Sequence, residues 1–85
     1  MRMIDPNSGE ALGQVQLYLS VPEAQKLMEE LRKLLNDPEA NEHFHLFSED
    51  GADELSCSVV TEAKFSGFGY TPEERRAFGR WKPRG

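Results

Sequence analysis

The sequence predicts an α+β fold in β-α-β-β order: a three-stranded, mostly antiparallel sheet with one amphipathic helix packed on one face. A fourth strand joins if the N-terminal arm pairs at the edge, and a short helix follows near the C-terminus. Three observations predict this. Polar and apolar residues alternate from Gln14 to Ser20, apolar residues recur at helical spacing from Ala24 to Leu35, and two more alternating runs flank an Asp-Gly step.

Taken in order, residues 1–12 hold the turn formers Asp5-Pro6-Asn7-Ser8-Gly9, which predict a mobile arm or a short edge strand. The core domain then spans 13–62. In its first strand Val15, Leu17 and Leu19 face one way and Gln14, Gln16, Tyr18 and Ser20 the other. Ser20-Val21-Pro22-Glu23 matches a capping box, with Pro22 in the first turn where its missing N–H costs nothing. Ala24, Leu27, Met28, Leu31, Leu34 and Leu35 form one helical face, Glu29 and Lys33 pair across a turn, and Asn36-Asp37-Pro38 ends the helix.

Strands over His43–Ser48 and Leu55–Thr61 follow, joined by Glu49-Asp50-Gly51-Ala52-Asp53-Glu54, whose Asp-Gly step supplies the positive dihedral of a hairpin loop. With Phe44, Leu46, Leu55, Cys57 and Val59 toward the helix, the opposite face carries His43, His45, Phe47, Ser56, Ser58 and Val60. The first strand pairs either with the second, parallel, or with the third, antiparallel; both orders remain open. In the segment 63–85, Phe65, Phe68 and Tyr70 alternate with Gly67 and Gly69. Thr71-Pro72-Glu73-Glu74 then starts a helix running to about Gly79, which brings Ala77, Phe78 and Trp81 together.

Composition narrows the function classes. The single cysteine, Cys57, rules out an intramolecular disulfide, so packing must stabilise these 85 residues. Met1 to Pro6 lack a signal peptide's apolar run, and no segment has the apolar length of a membrane span; the expectation is a cytoplasmic protein that engages no membrane. The net charge of −5 divides into −8 over residues 1–72 and +3 over residues 73–85. An acidic body repels a phosphate backbone, so nucleic acid is an unfavoured partner.

Candidate chemistry is sparse. His43 and His45 share a strand face at a spacing that suits zinc, but no third ligand is fixed by spacing, so no metal and no cofactor are assigned. Cys57 lies on the core face and reads as a structural thiol. The acidic loop lacks calcium-loop spacing, and Lys64 to Tyr70 order their basic, glycine and aromatic residues unlike an RNA-recognition strand. With no catalytic motif, no catalytic residues are assigned and the expectation is a protein without enzymatic activity. The candidate protein-binding residues are Tyr18, His45, Phe47 and Val60, expected on the face opposite the helix, with Asp50, Asp53 and Glu54 of the acidic loop. Such an apolar face needs a cover: the chain's own Phe68, Phe78 and Trp81, a second copy, or a protein partner.

Leu17-Tyr18-Leu19-Ser20, Glu23-Ala24, Leu27 and the hairpin from His43-Phe44-His45-Leu46 through Val59 resemble the small strand-helix-hairpin immunity proteins of bacterial polymorphic toxin systems. The resemblance covers residues 15–61 and leaves out the tail from Phe65. It implies a non-enzymatic protein that binds and blocks a toxin, often a nuclease, whose basic cleft an acidic inhibitor occupies. Two other readings stand beside it. One is a metal- or nucleic-acid-linked accessory protein using the His43/His45 strand and the basic tail; the other is a homodimer of structural role.

Overall fold

Helix α1 (Val21–Asn36) begins where the sequence places it. Ser20 caps it with a complete capping box: its hydroxyl accepts from the Glu23 N–H at 3.3 Å and the Glu23 carboxylate accepts from the Ser20 N–H at 2.8 Å. The computed structural model describes every residue except Asn41, Phe68 and Gly85. Its described elements are β1 (Met3–Ile4), β2 (Ala11–Leu12), α1, β3 (His43–Phe47), β4 (Glu54–Ser58), α2 (Glu62–Ser66) and α3 (Pro72–Phe78). They divide into two compact units, Tyr18–Val60 and a second formed by Met1–Leu17 with Thr61–Gly85.

In the Tyr18–Val60 unit, β3 and β4 pair antiparallel with Phe44 opposite Cys57 and Leu46 opposite Leu55. This register sets the two faces that the alternation predicts. Phe44, Leu46 and Leu34 of α1 are buried together, with Leu27, Leu31, Leu55, Cys57 and Val59 packed against them. The connecting turn is built around Ser48: its carbonyl accepts from the Gly51 N–H at 2.8 Å and its hydroxyl from the Asp53 N–H at 2.9 Å. Gly51 has φ +74°, the left-handed conformation the Asp-Gly step predicts.

The expected first strand is the main correction. Residues 14–20 form no strand, and among the described residues the sheets are two separate antiparallel pairs, β1 with β2 and β3 with β4. Val15 and Leu17, expected in the core against α1, are exposed. Alternation marks which residues could share a face, but a strand exists only where another edge accepts its backbone hydrogen bonds. The expected alternatives of parallel or antiparallel docking for this strand both lapse with it. Likewise β4 ends at Ser58, so Val60 lies beyond the strand and is half-buried rather than on the outer sheet face.

The second unit opens with the short hairpin β1–β2, in which the arm pairs with itself instead of adding an edge strand to the β3–β4 sheet. Asp5 organises its turn, accepting from the Gly9 N–H through its carbonyl at 2.7 Å and from the Asn7 N–H through its carboxylate at 2.8 Å. Helix α3 carries the capping box predicted at Thr71 and ends at Gly79 with φ +59°. Helix α2, capped by Thr61, was not anticipated from the glycine-aromatic pattern. The rings of Phe65, Tyr70 and Trp81 lie 5.8, 5.3 and 5.6 Å from Phe78. The Arg2 Nε donates to the Phe78 carbonyl at 2.8 Å, where a cation suits a helix C-terminus. Of the aromatic residues expected as a cover, Phe78 and Trp81 pack within this cluster, and Phe68 lies outside the described residues.

Candidate functional site

Two surfaces of the Tyr18–Val60 unit carry more apolar or chemically organised groups than a solvated face requires. The first is a groove along α1. The two-stranded hairpin is narrower than the helix's apolar arc, so Leu27, Leu31 and Leu34 meet it while Met28 and Leu35, about 100° further around the helix, do not. Met28 and Leu35 remain 53% and 64% exposed. With Leu19, Ala24, Leu27, Leu31 and Arg32 they line a groove of about 430 Å³. The sequence places all six apolar α1 positions on one helical face, of which Leu27, Leu31 and Leu34 join the core while Ala24, Met28 and Leu35 stay exposed. The missed signal was numerical: six apolar helix positions exceed what two strands can cover.

Glu23 holds one end of this helix. Besides its bond to the cap, its second oxygen accepts from the Glu49 N–H at 2.8 Å, which ties the start of α1 to the β3–β4 turn. The Ser20 and Glu49 backbone N–H groups hold the Glu23 carboxyl below the ordinary carboxylate range. Spacing revealed the cap; nothing local revealed the reach to Glu49, twenty-six residues away.

The second surface is the outer face of β3–β4, where the register brings His45 opposite Ser56 and Phe47 opposite Glu54. Three of the predicted binding residues, His45, Phe47 and Glu54, therefore meet. The rings of His45 and Phe47 stack at 6.4 Å, and the Glu54 carboxylate hydrogen-bonds the His45 Nδ1. Phe47 is 58% exposed. Tyr18 is also exposed but belongs to no strand, so the sheet does not bring it to this face. Asp50 is engaged in the turn, accepting from the Ser48 hydroxyl at 2.5 Å and the Ala52 N–H at 3.0 Å, and these donors lower its pKa. Asp53 occupies the same turn and contributes its N–H to Ser48.

Ser56, His45 and Glu54 adjoin one another without forming a nucleophilic relay. A serine-histidine-carboxylate relay uses opposite imidazole nitrogens, whereas here the Ser56 hydroxyl at 2.8 Å and the Glu54 carboxylate both meet Nδ1. Cys57 is half-buried on the other face, and burial pushes its thiol pKa up, away from a reactive thiolate. Among the described residues no group of three or more His, Cys, Asp or Glu side chains is placed to hold a metal ion. No described helix is long and apolar enough to cross a membrane.

The charge of the unit is one-sided. Residues 18–60 carry ten acidic and three basic side chains, a net −7, whereas the remaining residues carry a net +2. No protein-family model, no curated protein and no solved structure matches the chain.

Proposed function

We propose that the protein is a non-catalytic binding module whose Tyr18–Val60 unit docks a basic protein through the α1 groove. The observation that carries this reading is the open groove itself. Met28 and Leu35 stand exposed beside Leu19 and Ala24 on a unit of net −7. An apolar groove on a unit of net −7 gives a basic partner desolvated contact area and, at longer range, electrostatic steering, while the one charged side chain in the groove lining is Arg32. Phe47, exposed beside Glu54, lies on the opposite face of the hairpin from α1 and outside this contact. The resemblance to toxin-blocking immunity proteins, which keeps the helix and hairpin but loses its first strand, favours a toxin as the partner, with a basic nuclease cleft as the complementary surface.

Capture on the immobilised full chain tests the reading, with a Met28→Glu, Leu35→Glu chain as the matched bait. The expected result is a basic protein held by the wild type and lost by the variant. Expression of that protein alone arrests growth, and co-expression with the chain restores it. Retention by both baits alike, or of no protein above background, contradicts the docking reading. A captured protein that leaves growth unaffected contradicts the toxin assignment.

A further inference from the structure

We propose that His43 and His45 form a two-histidine site for a divalent late transition cation, zinc or nickel, with Glu54 as the residue that orients it. The inference is independent of the docking reading and rests on the outer face of β3–β4. Residues 43 and 45 project from one face because strand side chains alternate, and the antiparallel register sets Glu54 and Ser56 beside them.

The two Nε2 atoms lie 3.1 Å apart and the ring centroids 4.8 Å apart. A cation placed about 2.05 Å from each nitrogen closes an N–metal–N angle of about 98°, between square-planar and tetrahedral values, and holds the centroids about 4.8 Å apart. Two imidazoles pointing straight at each other across the same nitrogen distance would stand about 5.4 Å apart. The rings are therefore not collinear, and their edge-to-face pair, with planes 84° apart, has the nitrogen and centroid separations that a shared ion requires.

Glu54 sets the tautomer. An ionised carboxylate only accepts hydrogen bonds, so its contact with Nδ1 places a proton there, and the neutral ring of His45 then presents its Nε2 lone pair to His43. This is the carboxylate-histidine arrangement that supports metal ligands from behind. Without a cation, His43 supplies the proton between the two nitrogens; with one, that proton moves to His43 Nδ1 and both lone pairs face the ion. Water fills the remaining positions, because the described residues offer no third protein ligand in place. Nitrogen ligands of this kind favour zinc and nickel over magnesium or calcium.

The chain has two histidines, so the ring-nitrogen NMR spectrum contains two spin systems and reads the site directly. The test uses the full chain in a Cys57→Ser background, which removes the competing thiol, titrated with zinc chloride at neutral pH. Both rings are expected to shift together at their Nε2 resonances, with magnesium chloride shifting neither. His43→Gln and His45→Gln should each weaken zinc binding at least about tenfold, and Glu54→Ala about ten- to a hundredfold, with unchanged far-UV circular dichroism. Rings unmoved by millimolar zinc, a shift of one ring alone, or equal affinity in the His45→Gln chain overturns the site. Equal affinity in the Glu54→Ala chain overturns the orienting role.

Discussion

Glu23 does two jobs with one carboxylate, closing the capping box of α1 and accepting from the Glu49 N–H of the hairpin turn. Removing the cap hydroxyl by Ser20→Ala should lower stability by about 1 kcal/mol, measured as a shift in the denaturant midpoint. The Glu23 pKa is lowered in the folded chain, so its stabilising effect is present above the ordinary carboxylate pKa of about 4.3 and is lost as pH falls through the lower folded value. Glu30, held low by Lys26 and Lys33, and Asp50, held low by Ser48, act in the same direction. Denaturant midpoints measured from pH 7 to about pH 3 should therefore fall at the acid end. A Glu23→Gln chain should show a shallower fall over that range; an unchanged profile would mean that the two backbone contacts contribute nothing.

At the scale of elements, α1 is divided along its length between a face that meets the hairpin and a face that meets nothing in its unit. Leu34 is buried against Phe44 and Leu46, so Leu34→Ala should destabilise by about 2–3 kcal/mol. Leu35, one position on and 64% exposed, should tolerate Ala within about 0.5 kcal/mol. Equal effects of the two changes in thermal or denaturant melts would contradict the division. The turn offers a separate check. A Cβ at Gly51 meets nothing within 4 Å, so Gly51→Ala tests the left-handed backbone alone and should cost about 1–2 kcal/mol. The elements most legible in the sequence were those with local signals: the capping boxes at Ser20 and Thr71, the stop at Asp37-Pro38 and the Asp-Gly turn. The strand over 14–20 was misjudged because Val15, Leu17 and Leu19 display a pattern without naming a partner edge, and pairing is a non-local property. The convergence of His45 with Glu54 was equally out of reach, since it depends on the one register that sets Glu54 opposite Phe47.

Across the whole molecule the acidic and basic side chains are partitioned, with a net −7 on residues 18–60 and +2 on the rest. The sequence shows a related division, −8 over residues 1–72 and +3 over residues 73–85, whereas spacing cannot separate the groove residues from the core residues with which they share a helical face. Together they underlie the proposal that α1 docks a basic protein. Electrostatic steering makes the association salt-sensitive, and raising ionic strength from about 0.05 to 0.5 M should slow it at least about tenfold. The most direct test is a calorimetric titration of the captured partner with the wild-type chain and with the Met28→Glu, Leu35→Glu chain, both confirmed folded by circular dichroism. Affinity is expected to be at least about a hundredfold weaker for the variant, the loss that follows when charge enters a desolvated apolar contact. Affinity within about twofold of wild type would contradict the proposal and place the partner elsewhere on the molecule.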